Sequence, residues 1–305
     1  MLTSSLRGKQ KFQTKEVATR PLRIMSHTLK RLWRYLIVPP LIKHAKQLEQ
    51  PNKEIDYSAA GYEFFRRLFA EFMGTLLLVV GHGSNRLEGK RGLIPEAAGA
   101  FSNGLVNVFL IYSLAGISGA HFNPVVTLAF TCRLVFPFLW VPFYFLAQFC
   151  GSLIAGLLLK GLFGDEYALL ATNTIDPTNV TVLGGFGWEI FLTFCLLFVI
   201  LQTATKAQLI GSEAALAVGA VIAFDCLVGG STSTASMNPF RTLGPALINS
   251  STDNNTSLWI YIAGPLIGAL IAVLVVSLLQ GFTPKTKEEL MGAHGEEHNK
   301  SNNQG

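Results

Sequence analysis

Two Asn-Pro dipeptides, Asn123-Pro124 and Asn238-Pro239, concentrate the chemistry of this sequence. Asparagine is a strong helix N-cap, and proline suits the first helical position because its missing N–H would be unpaired there anyway. Each dipeptide therefore reads as a helix start. The cap uses the side-chain oxygen to accept from first-turn N–H groups, which leaves the amide NH2 of each asparagine free to donate outward. Two such ends meeting inside a membrane present two donors and two positive helix ends to whatever passes. A water oxygen accepts both bonds, a cation is repelled, and a file of water along which protons hop is interrupted.

The elements that must position these dipeptides are membrane helices. Stretches 122–131 and 239–248 are apolar but only about ten residues long, roughly 15 Å of helix, which is half of a bilayer core. Each follows a run of small residues, 116–121 and 229–236, so each reads as re-entrant. Six longer apolar stretches are predicted to span, near 64–84, 96–116, 136–160, 183–204, 213–230 and 258–280. In lipid every backbone N–H and C=O must be satisfied internally, so these are helices. Glu71 in the first span precedes Asn123 by nearly the interval that separates Glu189, in the fourth, from Asn238. The chain thus repeats as span with a buried Glu, span, half-helix, span. Three spans per half force the second copy to enter from the opposite side, the inverted arrangement that transport proteins use for their pathway. The fold class read from this is an all-α membrane protein: six transmembrane helices plus two re-entrant half-helices in an inverted repeat.

Composition supports a membrane body. Hydrophobic residues make up 50% and charged residues 14%, whereas a soluble domain carries about a quarter charged. Twelve of the 24 Lys and Arg lie between Arg7 and Lys53, so the net charge of +5 describes mostly a tail. Such a tail beside a membrane reads as a cytoplasmic segment near anionic lipid rather than a nucleic-acid ligand. Within it, 32–42 is apolar but broken by Arg34 and Pro39-Pro40, and is either a surface segment or irregular. No secretory signal is evident. Arg66, Arg67, Lys206, Lys285 and Lys287 place both termini in the cytoplasm; Arg86, Lys90 and Arg91 count against this. The sequons at Asn179, Asn249 and Asn254 would then face outward. Cys132, Cys150, Cys195 and Cys226 show no metal-ligand spacing, and no nucleophile, base and orienting group converge, so neither a metal, a cofactor nor an enzyme is expected.

The segments 118–124 (Ser-Gly-Ala-His-Phe-Asn-Pro) and 236–246 (Ser-Met-Asn-Pro-Phe-Arg-Thr-Leu-Gly-Pro-Ala) resemble the two signature loops of the aquaporin, or major intrinsic protein, family. Residues 70–75 (Ala-Glu-Phe-Met-Gly-Thr), Gln148, Glu189 and 259–265 (Trp-Ile-Tyr-Ile-Ala-Gly-Pro) extend the resemblance over roughly 64–280. It implies three parts: an aquaporin-like channel domain at 61–282, with repeats at 61–160 and 183–282; a disordered basic tail at 1–60; and a cytoplasmic tail at 283–305. It also implies homotetramers with one pore per protomer, passive conduction of water, and an outer constriction of Asn103, Cys226, Ala235 and Arg241. The Arg241 guanidinium would bond a passing oxygen while its charge repels cations. Strict water channels place a large aromatic and a histidine at the first two positions. Asn103 and Cys226 imply a wider, polar opening that also admits glycerol, urea, boric acid or hydrogen peroxide. Thr242 and Ala246 look water-type, and Tyr261-Ile262 is nearer the plant nodulin-like or uncategorised branches.

Several residues depart from the pattern or leave a choice open. The usual Ala of each motif is replaced by Val125 and Phe240. Phe240 would either part the half-helices or shield the pore wall, and a shut assembly protein is a further alternative to a facilitator of larger neutral solutes. Asp225 is either a vestibule residue or a carboxyl neutralised at a helix contact. Glu71 and Glu189 are expected to accept from the re-entrant loops rather than relay protons. His121 is expected to be a structural histidine or a pH sensor, and His82 has no assigned role.

Overall fold

A computed structural model describes residues 57–164, 172–203, 213–248 and 257–281. The regions 1–56 and 282–305 lie outside it, and with them most of the two expected tails, including 32–42, Lys285 and Lys287. Lys206, Asn249 and Asn254 also lie outside the described residues.

The regular elements among the described residues are all helices. α1 (Tyr57–Lys90) and α2 (Glu96–Ser118) precede the short α3 (Pro124–Cys132), and α4 (Val141–Phe163) follows a single 3-10 turn at Phe138–Trp140. α5 (Val182–Thr203), α6 (Glu213–Gly229), the short α7 (Pro239–Ile248) and α8 (Ile260–Gln280) repeat that order. Four helical stretches have the length and apolarity to cross a membrane unaided: α2, Phe138–Phe163, α5 and α8. α6 is only 17 residues and carries Asp225. α1 is 34 residues, about 51 Å, and overruns the predicted 64–84 at both ends. Hydropathy reads only the apolar middle of such a helix. The backbone continues unbroken through Glu63, Arg66 and Arg67 at one end and through Asn85 and Arg86 at the other.

The helices pair as the repeat demands. α1 packs on α4 as α5 packs on α8, and α2 crosses its counterpart α6. α3 lies against α8 while α7 lies against α4, so each half-helix is held by the other repeat. Lipid gives no hydrophobic drive to these contacts, which depend on close approach and polar bonds. At the α2–α6 crossing a side chain on Gly104 would strike the Gly219 carbonyl, and one on Gly219 would strike Val108 and the Gly104 carbonyl. The fully buried Glu71, Thr75, Gln148, Ser152, Glu189 and Thr193 lie inside, while Leu270, Leu274 and Leu278 stand exposed along one stripe of α8. Polar groups inside and apolar groups outside suit a lipid solvent.

Candidate functional site

Each half-helix starts from a loop that turns sharply twice. Ala120 and Phe122 in the first loop, and Ala235 and Met237 in the second, hold positive φ between 46° and 55°. Each left-handed non-glycine residue costs about 1–2 kcal/mol. Buried carboxylates offset that cost. Glu71 accepts from the backbone N–H of His121 (3.0 Å) and Phe122 (2.8 Å), the Ser118 hydroxyl (2.6 Å) and Gln148 Nε2 (2.8 Å). Glu189 accepts from the backbone N–H of Ser236 (2.9 Å) and Met237 (2.8 Å) and from the Ser233 hydroxyl (2.7 Å). Tyr144 donates to the Ser118 carbonyl at 2.7 Å, and Tyr261 to the Ser233 carbonyl at 2.9 Å. The two loops are therefore built alike, apart from the Gln148 bond that only Glu71 receives.

The half-helices meet tip to tip. Asn123 Oδ1 accepts from Val125 N at 3.1 Å, and Asn238 Oδ1 accepts from Phe240 N (3.1 Å) and Arg241 N (3.2 Å). The amides then cross over. Asn123 Nδ2 donates to the Met237 carbonyl and Asn238 Nδ2 to the Phe122 carbonyl, both at 2.9 Å. Of the two N–H groups on each Nδ2, one is thus committed to the opposite loop. The outward-facing donor at each tip is a single N–H, not the whole NH2 expected from the cap alone.

A small cavity of about 50 Å³ passes this junction, lined among others by Asn107, His121, Asn123, Asn238, His82 and Arg241. A vestibule of about 650 Å³ opens beyond it and includes Asn103 and Cys226. His82 and Arg241 belong to both walls, so the passage narrows between them. Arg241, 8% exposed, donates from Nε to His82 Nδ1 at 3.1 Å. An arginine Nε can only donate, so His82 Nδ1 accepts; the other ring nitrogen, Nε2, lies 3.3 Å from the Asn103 carbonyl and 3.1 Å from Asn107 Nδ2. Asn103 in turn donates to Cys226 Sγ at 3.6 Å and accepts from Asn85 Nδ2 at 2.8 Å.

The expected constriction residues are thus only partly brought together. Asn103, Cys226 and Arg241 converge on the mouth. Ala235 is 1% exposed, packs in the main apolar cluster and lines neither cavity; Thr234 faces the vestibule in its place. His82, without a role in the sequence reading, is the residue Arg241 leans on. The local signal for it was a polar side chain one helical turn before Arg86 on the same face of α1.

Of the other singled-out residues, Phe240, Val125 and Asp225 lie away from the passage, while His121 lines the small cavity. The Phe240 ring packs at 5.6 Å from Phe145 and 5.5 Å from Phe149, on α4, and lines neither cavity. Val125 is fully buried in the main apolar cluster. Asp225 is 0% exposed, lines neither cavity, and neither of its carboxyl oxygens has a hydrogen-bond partner among the described residues. The His121 ring sits among Phe130, Phe136 and Tyr144, and its Nδ1 lies 3.1 Å from the Thr127 hydroxyl.

The segment before α5 covers the second loop. Asn173 Nδ2 donates to the Thr234 hydroxyl at 2.8 Å, and the Thr242 hydroxyl donates to Asn173 Oδ1 at 3.0 Å. Asn179 Nδ2 donates to the Ser231 carbonyl at 2.9 Å. Bonds from the Thr178 hydroxyl and N–H hold the exposed Asp176 carboxyl below the usual carboxylate range.

Comparison with known proteins agrees with this geometry. The family model described as major intrinsic protein matches residues 58–276. Aquaporin NIP1-1 of Zea mays is 38% identical over 229 residues, covering 74% of this chain and 79% of that protein. Nodulin-26 of Glycine max is 34% identical over 234 residues, covering 76% and 84% respectively. Among solved structures, the aquaglyceroporin from Plasmodium falciparum superposes with a TM-score of 0.63 at 23% identity, over 69% of this chain and 94% of that one, which speaks to the fold.

Proposed function

The chain belongs to the major intrinsic protein family, and from that premise we propose a pore whose selectivity is set by His82, Asn103, Cys226 and Arg241. It is an integral membrane protein and a passive channel for water and small neutral solutes, in a family of channels rather than enzymes. The single observation that carries the finer reading is the His82–Arg241 contact, which stands between vestibule and inner cavity. Every side chain we assign to this ring can donate or accept a hydrogen bond. A solute that sheds its water there recovers bonds from the wall, whereas a cation meets an arginine and two positive helix ends.

On this reading the pore passes water together with compact polar solutes such as glycerol, urea, boric acid or hydrogen peroxide. The family's usual assembly supports a homotetramer with one pore per protomer. The Lys and Arg distribution supports cytoplasmic termini, with the Lys90 end of α1 outside. Stopped-flow measurement on proteoliposomes, with water, glycerol, urea and peroxide compared side by side, tests the proposal. The expected outcome is flux above lipid background for water and for at least one solute, with His82→Ala and Arg241→Ala changing the ratio between them. Unchanged ratios in both variants would sink the assignment. A shut pore finds no support in the position of Phe240.

A further inference from the structure

Arg86 lies one turn beyond His82 on α1, about 6 Å along the axis, and lines the same vestibule as Arg241. Its Nη2 donates to the Thr174 hydroxyl at 3.3 Å, which fixes the guanidinium plane. Its Nη1 is buried and has no hydrogen-bond partner among the described residues. The same is true of Nη1 of Arg241, whose Nε is tied to His82. Two guanidinium groups on the wall of one cavity, each held by one arm, therefore leave a second, buried arm without a partner, and the charge of Arg241 acts on Arg86.

The acids at this mouth do not neutralise them. Neither Arg86 nor Arg241 takes part in the ion pairs among the described residues, which are Arg66–Glu63 and Arg91–Glu88. Asp176 accepts from Thr178 and Asn179, and Glu96 lines the vestibule without a bond to either arginine. Partly desolvated like charges are costly to hold side by side, and the one carboxyl that acts on Arg241, the buried Glu189, is already committed to the N–H groups of the second loop. An incoming anion would relieve that cost. A planar fork of N–H donors favours an anion with several oxygens, and two such side chains lining one vestibule suit one that can be gripped from both sides.

We propose that the vestibule is a binding site for a small oxyanion, of the phosphate or carboxylate class, bridged between Arg86 and Arg241. Seated there, the anion covers the entrance to the His82–Arg241 passage and blocks flux. The block rests on the channel reading above; the binding does not.

Inorganic phosphate is the probe. Purified full-length protein in detergent is titrated with phosphate and the ³¹P line width recorded. Proteoliposomes carrying phosphate on both faces are compared with proteoliposomes in sodium chloride of equal ionic strength. The expected result is line broadening saturating at millimolar phosphate and a severalfold lower water permeability than in chloride. Arg86→Gln should abolish the broadening and bring the phosphate-to-chloride permeability ratio to one. Arg86→Lys, which keeps the charge without the fork, should bind more weakly than wild type. No broadening in wild type, or broadening retained in Arg86→Gln, overturns the site. If the glutamine variant does not fold, unchanged affinity in the lysine variant does so instead. If vesicles in chloride show no water flux, the channel reading fails while the line-width titration still decides the binding.

Discussion

Glu71 and Glu189 do the same structural task with unequal means. Both carboxylates accept the backbone N–H groups that the left-handed loop residues turn inward, but Glu71 has Gln148 as an additional donor where the second repeat places Pro265. Replacing either by Gln puts an NH2 against N–H groups and orphans at least one of them, at about 1–3 kcal/mol per group. Glu71→Gln should therefore lower the melting temperature of the detergent-solubilised protein more than Glu189→Gln. Equal or reversed losses would show that Gln148 adds nothing to the first loop. These acids were legible in the sequence because each sits at a similar distance before an Asn-Pro pair. His82 was not, because its role depends on a bond to Arg241 across 159 positions. Ala235 shows the opposite failure. Spacing from Asn238 placed it in the constriction, but its positive φ of 46° belongs to a turn that presents Thr234 to the vestibule and packs the Ala235 methyl into the apolar cluster.

At the scale of the elements, local signals proved sufficient for where the half-helices begin and insufficient for what flanks them. The Asn cap and first-turn Pro fix the starts at Pro124 and Pro239, as read from sequence. The residue before each cap, Phe122 or Met237, is apolar but belongs to the loop, which hydropathy alone cannot see. Phe240 was legible as an anomaly and not as a contact, since its neighbours Phe145 and Phe149 come from α4, far away in sequence. Two expectations follow for packing. Phe240→Ala should leave water permeability per channel unchanged while reducing thermal stability, because the ring fills a space beside α4 rather than the passage. A rise in permeability would restore the shut-pore alternative. Gly268→Leu should prevent recovery of folded protein, since even a Cβ there meets the Ile190 carbonyl and Thr193, whereas Gly187→Ala on α5 meets nothing and should be silent in the same assay.

For the whole molecule, the inverted repeat was readable from two dipeptides and two glutamates, yet the crossing of α2 on α6 and the gripping of each half-helix by the other repeat came only with the fold. The segment 172–182 and the arginines at the vestibule share one face, while Gly281 follows α8 on the other, where Arg133 Nη1 donates to its carbonyl at 2.7 Å. We expect a cysteine at Asn179 to react with an impermeant maleimide added outside intact cells, and one at Gly281 to react only after permeabilisation. The reverse pattern would invert the orientation. The exchange between Asn123 and the Met237 carbonyl, and between Asn238 and the Phe122 carbonyl, has a consequence for how this architecture can change. Neither repeat owns a finished tip: each asparagine closes a circuit that its partner's loop opens. A lesion in one loop is thereby felt on both sides of the bilayer midplane, and the two copies, however far their sequences drift, stay yoked at that one point.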